Sequence, residues 1–90
     1  GARRRLDGFA RNPAKHALYA AKVLLKYKLL EWQQIALADL LAWARATPYF
    51  GMLHARHFAD RDQAEWLQSL ADDLVRSGAA VRQGEWLHNA

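Results

Sequence analysis

The sequence predicts a mainly α-helical domain that closes on a C-terminal β-hairpin. Three observations point there. Helix signals recur along most of the chain: Asn12-Pro13 as a start, apolar residues at three- and four-residue spacing, and Thr47-Pro48 as a stop. Asp60 to Gly78 is the clearest helix, with Leu67, Leu70, Ala71, Leu74 and Val75 on one stripe between an acidic cap and a glycine. Beyond it, Val81 and Trp86-Leu87 flank Gly84, the pattern of a tight hairpin.

Residues 1–11 are basic, contain Gly8 and show no sustained period, so they are expected to be a flexible arm. Asn12 can accept a hydrogen bond from an orphan N–H, and Pro13 has no N–H to leave unpaired. Ala14, Ala17, Leu18, Ala21, Leu24 and Leu25 then recur as one amphipathic helix to about Lys28. Lys26 and Lys28 suit a helix C-terminus and Glu31 suits a new N-terminus, so a turn is expected near Lys28–Leu30. With no Gly or Pro there, a single helix from Pro13 to Ala46 is the alternative. The second helix runs through Trp32, Ile35, Ala36, Leu37, Leu40, Leu41, Trp43 and Ala44. Its wide apolar arc marks a central helix.

Thr47-Pro48 ends that helix, because a residue before proline disfavours helical backbone. Tyr49-Phe50-Gly51-Met52-Leu53 reads as a brief strand or a core-filling loop, and His54–Ala59 as a short helix or turn with Leu53, His57 and Phe58 inward. Asp60 or Asp62 caps the next helix, and Gly78 supplies its left-handed end.

This order of elements resembles the winged-helix family over about residues 30–89. The resemblance rests on Tyr49-Phe50 with His54–Ala59, then Leu67, Leu70, Leu74 and Gly78, and Gly84-Glu85-Trp86 at the wing. It divides the chain into a basic arm, 1–11, and a single domain, 12–90, in which an added helix over 12–29 precedes a winged-helix-like unit over 30–89. The resemblance implies DNA contact through the helix over about Arg61–Ser77. That helix, however, carries Arg61 and Arg76 against Asp62, Glu65, Asp72 and Asp73, a net of −2. Binding to phosphates gains from Lys and Arg that displace counterions, and carboxylates oppose it. The leading expectation is therefore a non-catalytic module of a larger protein. It would dock a partner protein through Asp62, Glu65, Trp66, Asp72 and Asp73 on the helix, with Arg82 and Trp86 on the wing. A basic segment would suit the acidic face, including residues 1–28 of a neighbouring copy.

Charge supplies the alternative. The net +4 divides into +7 over residues 1–28, where eight Lys and Arg face Asp7 alone, and −3 over residues 29–90. Nucleic acid could be held by Arg3, Arg4, Arg5, Arg11, Lys15, Lys22 and Lys26. Tyr19 and Tyr27 lie near those lysines and are expected to pack, as aromatics at helical spacing usually do.

Composition narrows the classes further. Ninety residues make one small domain, and 52% apolar residues suffice for a packed core. The absence of cysteine removes disulfides, thiol catalysis and thiolate zinc sites, and fits a reducing, cytoplasmic setting. No apolar run approaches the ~18 residues of a membrane span. Because the chain opens on Gly1-Ala2, it is expected to be a piece of a longer protein. His54, His57 and Asp60 recur at three-residue spacing, without a fourth ligand at recognisable spacing. Ser69 and Ser77 lie on no nucleophile elbow, and no glycine-rich phosphate loop exists. Neither a metal, a cofactor nor an enzymatic activity is expected.

Overall fold

Asn12 opens the first helix as its residue type requires, its side-chain oxygen accepting the Lys15 N–H at 3.1 Å with Pro13 at the first helical position. The computed structural model describes residues 12–90. The expected arm over 1–11, with Arg3, Arg4, Arg5 and Arg11, lies outside them. Along the described residues run α1 (Pro13–Trp32), β1 (Gln34–Ala36), α2 (Leu37–Ala46), α3 (Pro48–His57), α4 (Gln63–Arg76), β2 (Ala80–Gln83) and β3 (Trp86–Asn89). The chain is thus mainly helical, with a small antiparallel sheet of strand order β1-β3-β2.

The turn expected near Lys28–Leu30 does not occur, and the boundary drawn at residues 29–30 falls inside α1. Ala17, Ala21, Leu25 and Leu29 form one buried row at four-residue spacing. Burying a leucine contributes about 1.5–3 kcal/mol, whereas a charge at a helix end contributes about 0.3–1 kcal/mol. Packing decides. The helix stops instead at Gln33, whose φ of 65° lies in the left-handed region and whose N–H still bonds the Leu29 carbonyl at 2.7 Å. Its side chain adds a bond to the Leu30 carbonyl at 2.6 Å.

Trp32, Ile35 and Ala36, expected in the second helix, divide differently. Trp32 ends α1, while Ile35 and Ala36 lie in β1, pairing with Leu87 and Trp86 of β3. Ile35 and Leu87 are both buried, so this strand carries apolar contact as well as backbone bonds. The next helix, α2, starts without a side-chain cap, but its Leu37 N–H donates to the Glu85 carbonyl at 2.7 Å and ties the hairpin tip to the helix. Thr47 breaks α2 from α3 in extended backbone, and Pro48 then opens α3 at its first position. Tyr49–Leu53 is therefore helical rather than a strand or loop, with Phe50 and Leu53 turned inward.

The clearest sequence signal holds throughout α4. Asp62 is the cap, accepting the Glu65 N–H at 3.0 Å. At the other end Gly78 has φ 82°, its N–H bonds the Val75 carbonyl and the Ala79 N–H bonds the Leu74 carbonyl. These two bonds define a Schellman ending. Gly84, φ 60°, takes the first of the two central positions of the β2–β3 turn, where a two-residue hairpin of type II′ needs glycine.

One apolar core joins α1, β1, α2, α3, α4 and the hairpin, and α1 packs on α3 and α4 while reaching both β1 and β3. No polar or charged residue is buried among the described residues. Because Gln33 is the non-glycine residue that carries a positive φ, Gln33→Gly is expected to hold or raise stability, by up to about 1 kcal/mol. A β-branched Gln33→Val should cost about 1–2 kcal/mol. Urea unfolding measures both, and a clear loss in the glycine variant would contradict a turn limited by backbone strain.

Candidate functional site

Helix α4 has two opposite faces. Trp66, Leu67, Leu70, Ala71 and Leu74 turn to the core. That leaves Glu65, Ser69, Asp72 and Arg76, spaced by four, three and four residues, along the outer ridge. Asp62 stands exposed at the head of the ridge, and Asp72 accepts a bond from Gln68 at 3.2 Å. Asp73 differs from the others, because it lies between two cations: Lys22 at 3.8 Å and Arg76 at 2.9 Å. Half-exposed carboxylates paired this way are largely neutralised locally, so Asp62, Glu65 and Asp72 carry the outward negative charge.

Beside the ridge stands the hairpin. Arg82 is exposed and its Nε donates to the Gly84 carbonyl at 3.0 Å. Trp86 pairs with Gln83 across the hairpin and is 49% exposed. Between α4, α2 and the hairpin lies a recess of roughly 270 Å³ that Leu37, Leu41, Gln68, Arg82 and Glu85 line. Gln68, bonded to Asp72 of the ridge, and Arg82 of the wing thus line a shared depression.

Trp66 does not belong to this surface. It is fully buried, 0% exposed, with the Phe58 ring stacked on it at 5.1 Å and the His54 ring at 5.6 Å. Trp66, Leu70 and Leu74 form a core row at four-residue spacing, one residue off the row that starts at Leu67. Its indole N–H has no hydrogen-bond partner, which costs about 1–3 kcal/mol and is outweighed by the apolar area a tryptophan buries.

The basic row on α1 is also partly committed to the fold. Lys15 is exposed. Lys22 makes the ion pair with Asp73. Lys26 was expected to be available to phosphates, but its ammonium donates to the Ala79 carbonyl and to the Asn89 side-chain oxygen. It therefore fastens α1 to the base of the hairpin. Lys28 lies over the Trp32 and Trp43 rings at 4.4 and 5.1 Å to their centroids, a cation–π contact.

His54, considered as a ligand with His57 and Asp60, bonds the Arg61 carbonyl through Nε2 at 2.6 Å and so braces the α3–α4 turn. Among the described residues no group of three His, Asp or Glu converges to hold a metal. Both serines donate to helix carbonyls, Ser69 to Trp66 and Ser77 to Leu74.

One surface went unread in the sequence. Tyr19, Val23, Tyr27 and Leu30 follow at spacings of four, four and three on the side of α1 opposite its buried row. Tyr19 is 53% and Tyr27 64% exposed, so the expectation that they pack fails. Next to Tyr19 and Val23 opens an almost wholly apolar groove of roughly 510 Å³, with Tyr19, Ala20, Val23 and Leu24 on one wall and Trp43 and Tyr49 on the other. Trp43 is set by an edge-to-face contact with buried Phe50, centroids 5.6 Å apart. The signal was present: α1 carries apolar residues at too many positions for one face.

Comparison with protein-family models, with curated proteins and with solved structures finds no match.

Lys15 and Lys26, both on α1, differ in role and separate cleanly by experiment. Lys26→Ala removes both bonds to the hairpin base and should cost about 1–3 kcal/mol, while Lys15→Ala should stay within about 0.5 kcal/mol. Equal urea midpoints for the two variants would contradict a structural role for Lys26.

Proposed function

We propose that this chain is a non-catalytic protein-interaction module built on a winged-helix arrangement. It docks a partner protein through the α4 ridge (Asp62, Glu65, Asp72, with Asp73 at its flank) and the hairpin residues Arg82 and Trp86. The topology supports the arrangement: a helix runs directly into a hairpin, and the first strand joins that hairpin on the β3 side to give the order β1-β3-β2. The observation that carries the docking reading is the recess lined by Gln68 of α4, which bonds Asp72 of the ridge, and by Arg82 of the wing, with Trp86 49% exposed on the other face of the hairpin. Tryptophan and arginine are among the side chains that most often dominate protein interfaces, and the recess beside Arg82 gives a partner side chain somewhere to go.

The same ridge argues against a duplex. A groove-reading helix meets phosphates on both sides, and Glu65 and Asp72 would each add repulsion there. Two of the three α1 lysines that a nucleic-acid reading requires are engaged inside the fold.

Glu65→Lys, Asp72→Lys and Trp86→Ala together test the reading, because all three side chains lie at the surface and should leave stability within about 1 kcal/mol. Quantitative capture of partners on the immobilised domain is expected to fall by an order of magnitude or more with the triple variant. Undiminished capture would contradict it. So would tight, salt-dependent binding of short oligonucleotides that reversal of Lys15 abolishes.

A further inference from the structure

We propose that the groove between α1 and the α2–α3 junction is a second docking site, which takes an amphipathic helix with acidic flanks from a partner protein. It is separate from the α4 ridge and does not depend on the reading above.

The shape argues for a helix. The row of exposed Tyr19, half-buried Val23 and exposed Tyr27 and Leu30 spans about 16 Å at 1.5 Å per residue, or three helical turns. The groove lies beside the first part of that row, lined by α1 from His16 to Leu24, about 12 Å of helix, with Trp43 and Tyr49 on the other side. A trough of about two helical turns that continues into the exposed Tyr27 and Leu30 matches the helix-in-groove mode, in which apolar anchors recur at three- and four-residue spacing. Exposed aromatics contiguous with an apolar groove form a patch that water solvates poorly, and patches of this kind mark interfaces.

Charge selects the occupant. Along α1, Lys15, Lys22, Lys26 and Lys28 stand against one carboxylate, Glu31, which pairs with Lys28 at 3.5 Å. From another element, Asp73 also lies beside α1, and Lys22 and Arg76 already offset its charge. A second copy fits badly. Packing α1 on α1 would bring together two helices that each carry four lysines and one glutamate, and that glutamate is already paired with Lys28. The acidic amphipathic helix that a copy could offer, α4, already buries its apolar face in its own core. Nucleic acid gains nothing from an apolar trough, because phosphates need cations and hydrogen-bond donors. A separate acidic helix satisfies both features at once, its apolar side in the groove and its carboxylates toward Lys15 and the α1 flank.

Display selection on the whole 90-residue chain tests this directly. The library presents helical peptides of about 16 residues with randomised apolar and flanking positions. Selection is run against the natural domain and against Tyr19→Ala/Tyr49→Ala, two surface changes whose folding is checked by circular dichroism. Enriched peptides are expected to carry apolar residues at helical spacing with Asp and Glu on the flanks. Their affinity should drop by on the order of tenfold on the double variant and stay unchanged on Glu65→Lys/Asp72→Lys. Sedimentation should show a monomer. No enrichment, enrichment of basic or extended peptides, equal binding to the double variant, or a dimer that Tyr27→Ala dissolves would each overturn the proposal.

Discussion

The buried row of α1 is the constraint on which the rest depends. Ala17 and Ala21 are small enough to let α3 and α4 come close, and Leu25 and Leu29 fill the space that opens toward β1 and β3. At ~25 cal/mol per Å² such a row outweighs any preference a few lysines express about where a helix should end. The same helix then fastens the C-terminus through Lys26, whose ammonium holds the residue before β2 and the last residue of β3. Three consequences follow. β1 must start just beyond Trp32, β3 must lie between β1 and β2, and the hairpin tip must reach the start of α2, where the Glu85 carbonyl caps Leu37.

A helix that serves as a wall on one side has its other side to spare. On α1 that side is apolar too, and Tyr19, Val23, Tyr27 and Leu30 face away from the core. A solvated helix ordinarily carries polar residues there. The two proposed docking surfaces differ in kind: α4 offers a carboxylate ridge that meets a small recess at Gln68, while α1 offers an apolar trough beside lysines. Electrostatics would then direct different partners to each, with like charge excluding the wrong one. The Lys22–Asp73 pair lies at the α1–α4 boundary, between the basic helix and the acidic one.

The parts that were legible in the sequence are those set by local chemistry. Asn12-Pro13, Asp62 with Glu65, Gly78 and Gly84 each act within a few residues, and each ends or turns its element as expected. The parts that were illegible are set across the chain. Gln34-Ile35-Ala36 is too short to show alternation, and it becomes a strand because β3, some fifty residues later, supplies the bonds. Pro48 was read as a stop when it also starts a helix, since one extended residue, Thr47, suffices between α2 and α3. The acidic ridge was readable from spacing and charge alone. Trp66 was not, because a stripe counted from Leu67 leaves it beside the core rather than in it. The α1 groove was hidden for the converse reason: aromatics that look like core in a sequence stay outside when the core is already full.

Native-state hydrogen exchange on the 90-residue chain probes the place of α1 most directly. Amides from Ala21 to Leu29 are expected to open with the same free energy as those from Leu67 to Leu74, both limited by global unfolding. If α1 instead exchanges through its own opening at clearly lower free energy, the helix is an addition to a core that stands without it. Its inner row would then not be what fixes the strands, the hairpin and the two surfaces in place.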